Sequence, residues 1–65
     1  MITQTEIICL AIERLDMRIR AYHEKFADAG EEGEKFIEKM TADFRAKRET
    51  LKQLYLIQTG TEYGE

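Results

Sequence analysis

Apolar side chains recur at Ile8, Ile12, Leu15, Ile19, Tyr22 and Phe26, in alternating steps of four and three residues. That spacing places all six on one stripe of an α-helix, the seam of a helix packed lengthwise against another. A second series follows the same rule through Ile37, Met40, Phe44, Lys47, Leu51, Leu54 and Gln58. Between the two, residues 28–34 read D-A-G-E-E-G-E. Two glycines held inside a helix would cost roughly 2 kcal/mol together, and a turn avoids that. The pattern therefore predicts an all-α fold, an antiparallel two-helix hairpin over residues 1–60. Helix 1 is expected at about 4–29, the turn at about 30–32 and helix 2 at about 32–59, with a flexible tail at 61–65. The competing reading is one uninterrupted helix, its stripe running on through Ala29, Gly33 and Phe36. The glycines and the acidic run favour the turn.

Local signals agree with these boundaries. Thr3 with Glu6 three residues later fits a capping box, and Ile2 and Ile7 occupy the staple positions on either side of it. Gly30 is placed as the left-handed residue just past helix 1, and Gly60 as the stop of helix 2. Glu31, Glu32 and Glu34 suit the first turn of helix 2, where the macrodipole favours negative charge. No Ser, Thr or Asn stands there as a cap, which leaves Asp28 as the available one.

Folding the chain back at the glycines aligns both seams in one register. Phe26 meets Ile37, Tyr22 meets Met40, Ile19 meets Phe44, Leu15 meets Lys47, Ile12 meets Leu51 and Ile8 meets Leu54. The same register sets Asp16 opposite Arg48 and Arg18 opposite Asp43, both pairs of opposite sign. Exposed pairs contribute about 0.2–1 kcal/mol, so they specify alignment more than they stabilise. Lys47 would be a charged seam residue, its stem packed and its amine reaching water near Asp43; the alternative is a buried polar residue that fixes register and pairing.

Size then changes the picture. Sixty-five residues bury only about 60% of the surface the unfolded chain exposes, so a lone hairpin is marginal. One cysteine, Cys9, and one histidine, His23, give no internal disulfide and no zinc cluster. Oligomerisation is the remaining remedy. It has a surface to use, because Ile7, Leu10, Ala11 and Met17 on helix 1 and Phe36, Leu56 and Ile57 on helix 2 lie off the seam. Ile7, Leu10 and Ile57 gather at the open end of the hairpin. These seven are the expected partner interface, most simply with a second copy in a four-helix bundle.

Catalytic chemistry finds no foothold. No nucleophile–base pair, phosphate loop or carboxylate pair is recognisable, so no catalytic, cofactor or metal residues are assigned and a non-enzymatic role is expected. Cys9 and His23 stand fourteen residues apart on one helix, about 21 Å at 1.5 Å per residue, too far to share a ligand. The apolar run 7–12 is too short to span a bilayer. With no export signal visible, a cytoplasmic protein is expected and no membrane partner.

The net charge of −3 disfavours nucleic acid overall, so such binding would need a local basic patch. Arg14, Arg18, Arg45, Arg48 and Lys52 form the candidate set, interspersed with glutamates. In layout, the short acidic antiparallel hairpin with a loose tail resembles Rop-like plasmid regulators. The resemblance implies dimerisation into a four-helix bundle. It rests on length and layout and includes no residue motif, so no RNA-contacting position is carried over. The preferred expectation is a non-catalytic hairpin for oligomerisation or interaction, and the alternative is a small nucleic-acid-binding accessory protein.

Overall fold

A computed structural model describes residues 1–64 and shows two helices, α1 (Gln4–Lys25) and α2 (Gly30–Thr59), packed as an antiparallel hairpin. The hairpin measures 42 × 20 × 19 Å between its Cα extremes. α1 starts where the capping signal places it, with Thr3 Oγ1 accepting from the Glu6 amide at 3.1 Å. α2 ends at Gly60, whose φ of 73° is left-handed and whose N–H reaches the Leu56 carbonyl.

The turn differs from expectation. α1 stops at Lys25 rather than near 29, and Phe26 leaves the helix at φ −112°. Four further helical residues would carry the chain about 6 Å past its partner before it turned. Leaving early lets the Phe26 ring close edge-on against Phe36, with ring centroids 4.9 Å apart. Gly30 is left-handed as expected, at φ 67°, but it opens α2 instead of closing α1. Ala29, not Asp28, is the N-cap of α2 and offers no side-chain acceptor. Glu31 and Glu32 in the first turn compensate through the helix dipole.

Gly33 explains how tightly the turn closes. It is buried, and a Cβ there would sit 2.4 Å from the Ala29 Cβ and 3.2 Å from the Phe26 carbonyl oxygen. Only hydrogen in place of the methyl permits that approach.

The helices meet at the expected level but not along the whole expected seam. Asp16 and Arg48 form an ion pair, and Gln58 donates to Gln4 at 2.9 Å across the open end. On α2, however, the buried residues are Gly33, Ile37 and Thr41. Phe44, Arg48, Leu51 and Tyr55 continue that stripe half-buried. Met40, Lys47, Leu54 and Gln58, expected in the seam, are all exposed. Helix 2 is thus rotated by roughly half a side-chain position about its axis, with Ile37, Phe44 and Leu51 common to both stripes. Thr41 can replace Met40 in the core, at 1% exposure, because its hydroxyl donates to the Ile37 carbonyl at 2.7 Å. Arg48 can do so because Asp16 receives it. Lys47 instead projects outward and pairs with Asp43 at 3.1 Å, so Asp43 does not pair with Arg18. The Arg18 guanidinium lies 5.8 Å from the centroid of the Phe44 ring.

Two contacts place residues 61 and 63 against the end of α2. The Thr59 hydroxyl accepts from the Thr61 amide at 3.2 Å, and the Tyr63 ring meets Tyr55 edge-on at 5.4 Å. The end of the expected tail, residue 65, lies outside the described residues. Among those described, no helix is long and apolar enough to cross a membrane.

Candidate interaction surface

Two ridges of side chains leave a ribbon with two broad faces, and the hairpin finishes them differently. On one, the tail returns over α2: Tyr63 and Glu62 line a small depression with Glu49, Lys52, Gln53 and Leu56. The Tyr63 phenol is held above its usual pKa, first by burial and then by the nearby charges of Glu13, Cys9 and Asp16, against a lowering influence of Arg48.

The opposite face stays open. A groove of about 600 Å³ runs between the helices, lined by Ala11, Arg14, Leu15 and Arg18 from α1 and by Ala46, Lys47, Thr50 and Leu51 from α2. A second hollow beside it is lined by Ile7, Leu10, Ala11 and Arg14. Helical spacing extends this face along α2 through Phe36, Met40, Asp43, Lys47, Thr50, Leu54 and Ile57, again in steps of four and three. Ile7, Leu10, Met17, Phe36, Met40, Leu54 and Ile57 are all exposed, Ile57 at 77%. By contrast, the large hydrophobic side chains counted as buried among the described residues are Ile8, Ile12 and Ile37 alone.

Of the seven expected interface residues, Ile7, Leu10 and Ala11 line the hollows of the open side, helical spacing sets Phe36 and Ile57 on the same side, and Met17 is exposed on α1 outside both hollows. Leu56 is not on that side; it is half-buried beneath the tail on the other face. Sequence reading missed Met40, Leu54 and Lys47, because it had assigned them to the seam. Their signal was present as the second stripe of the same spacing.

The five basic candidates are not brought together. Arg14 and Arg18 line the open groove. Arg45 donates to the Glu38 carbonyl at 2.8 Å, Arg48 is tied to Asp16, and Lys52 lies on the face that the tail covers. Cys9 is a half-buried free thiol and His23 is exposed on α1. Among the described residues, no three His, Cys, Asp or Glu side chains converge as metal ligands would.

No family model matches this chain, and neither does any curated protein or solved structure.

Proposed function

We propose that this chain is a non-catalytic oligomerisation module whose open face docks onto a second copy to form a four-helix bundle. The observation that carries the proposal is the imbalance between the faces. Only three large hydrophobic side chains are buried among the described residues, while Phe36 and Met40 toward the turn and Leu54 and Ile57 toward the open end stay exposed on one side of α2. The broad face of the hairpin, 42 × 20 Å in extent, is large enough to offer the roughly 800 Å² per partner that a stable interface needs. Stacking two such faces at the usual helix separation of about 10 Å would enclose Leu15, Leu51 and Leu54 in a shared core.

Sedimentation equilibrium together with thermal melting tests this reading. A dimer mass, with a melting temperature that rises with protein concentration, is the expected result. A fully helical monomer with a concentration-independent melt would overturn it.

Nucleic-acid binding is the second reading, supported by Arg14, Arg18 and Lys47 lining one groove. It has fewer cations to work with than the sequence offers, because Arg48 already has a carboxylate partner. Retention on RNA or DNA that falls steeply with salt, and that is lost in Arg14→Glu with Arg18→Glu, would favour it.

A further inference from the structure

The open face is not uniform along its length, and that unevenness bears on how two copies would lie. Cross-hairpin contacts set the levels: Gln4 meets Gln58, Arg18 meets Phe44 and Phe26 meets Phe36. Ile7 and Leu10 therefore stand level with Leu54 and Ile57, an aliphatic block at the open end. The middle is a belt of cations, Arg14 and Arg18 on α1 and Lys47 on α2, with Asp43 as the acid beside them. Toward the turn come Ala21 and Lys25 on α1, and Met40 and Phe36 on α2.

Two symmetric stackings are open to such a face. With the turns at opposite ends, α1 would lie along α1 of the second copy. The stripe Ile7, Ala11, Arg14, Arg18, Ala21, Lys25 contains no carboxylate. Arg14 and Arg18 would meet the same two arginines, and Ile7 would rest against Lys25. Sliding the copies apart to relieve the arginines would uncover the aliphatic ends. With the turns at the same end, α1 lies along α2 of the second copy instead. Ile7 and Leu10 then meet Leu54 and Ile57, and Arg14 and Arg18 meet the stretch Thr50, Lys47, Asp43. Asp43 already holds Lys47 at 3.1 Å and supplies the one carboxylate that either stacking brings to the arginines.

Resting on the dimer reading above, we infer that the two hairpins pair with their turns at the same end, each α1 against the partner's α2. The aliphatic blocks of both copies then form one cluster, and the central arginines face the strand of charge that includes a carboxylate.

The test is an intermolecular distance at the turn. Glu31→Cys in a Cys9→Ser background carries one spin label on each chain, at an exposed site in the first turn of α2. Same-end pairing expects about 20–30 Å between labels, two helix layers plus the label arms. Opposite-end pairing expects a separation near the 42 Å length of the hairpin. The long distance in a dimer overturns this inference and leaves the dimer reading standing. A monomer mass with no intermolecular distance overturns both. Lysine cross-linking of the unaltered chain, with heavy- and light-isotope copies mixed, gives a second readout that needs no variant. Mixed-mass Lys39–Lys39 links support same-end pairing, and mixed-mass Lys39–Lys52 links in their place refute it.

Discussion

The two broad faces of this hairpin are built from the same two helices, yet one is finished by the chain itself and the other is not. On the finished face, an arginine that would be costly to bury meets Asp16, and Tyr63 lies across Tyr55. On the open face, the equivalent cation, Lys47, turns outward to Asp43 and leaves a groove floored by Ala11, Leu15, Ala46 and Leu51. The difference teaches that polar residues can close a surface when each has a fixed partner. Apolar residues without a facing layer cannot close one. On the dimer reading proposed above, the sealed side would face water and the open side would meet the second copy.

The largest expected effect comes from putting charge into that apolar side. Leu54→Glu should weaken self-association by about a hundredfold, roughly 2.7 kcal/mol, because the carboxylate would be desolvated between two hairpins. Gln53→Glu, one residue along and lining the tail-covered depression, should leave the mass unchanged. Sedimentation of both variants at one concentration checks the contrast. Equal loss of mass in the two would mean that the faces are not distinct.

Next is a substitution that acts on both faces by loosening their common hinge. Alanine normally improves a helix over glycine by about 1 kcal/mol. At Gly33 the added methyl would lie 2.4 Å from the Ala29 Cβ, and overpacking of that kind costs about 1–3 kcal/mol. Gly33→Ala should therefore lower stability by about 1–2 kcal/mol in urea unfolding. Adding Ala29→Gly removes the opposing methyl and should recover much of the loss. Stabilisation by Gly33→Ala alone would show that the turn is not closed against this residue.

The ion pairs give a smaller and more direct comparison of the faces. Arg48 and Asp16 are 31% and 37% exposed in their side chains, against 63% and 74% for Lys47 and Asp43. Arg48→Ala should cost about 1 kcal/mol, and Lys47→Ala well under about 0.5 kcal/mol. Chemical denaturation at low salt reads both. Equal costs would remove the electrostatic half of the contrast.

Much of this layout was legible from residue spacing, and the part that was not has a physical reason. The α1 seam could be read because its apolar residues form one stripe flanked by charge. The α2 stripe could not be resolved, because two overlapping series share Ile37, Phe44 and Leu51. Hydrophobicity alone prefers Met40 and Leu54 for the remaining seam positions. The fold chooses Thr41, Arg48 and Tyr55, through a hydroxyl bonded within its own helix, a carboxylate on the other helix and a ring from the tail. One of those three depends on a residue on the other helix and another on the tail beyond Gly60, and periodicity within α2 registers neither. The early exit of α1 at Phe26 has the same origin, since it depends on Phe36 and Gly33 across the turn.

The smallest effect probes how firmly the tail seals its face. Tyr63→Ala should cost about 0.5–1 kcal/mol, the scale of one aromatic pair beyond its area, and leave Tyr55 uncovered. Alkaline pH acts on the same contact. The Tyr63 phenol titrates above the ordinary tyrosine value of 10.0, chiefly because burial disfavours its anion and secondly because Glu13 repels it. The sign follows from the protons bound by each state. Well below pH 10 both the folded and unfolded chains hold the phenol proton, and Tyr63 adds no pH dependence. As pH rises through that value the unfolded chain ionises first, so the folded state loses stability relative to it. Comparing the native chain with Tyr63→Phe cancels the titration of every other group. The difference in urea midpoint between the two should be flat near about pH 8 and should shift toward Tyr63→Phe by about pH 11. A difference that stays constant over that range would mean that the ring sits in water, with the tail no seal at all.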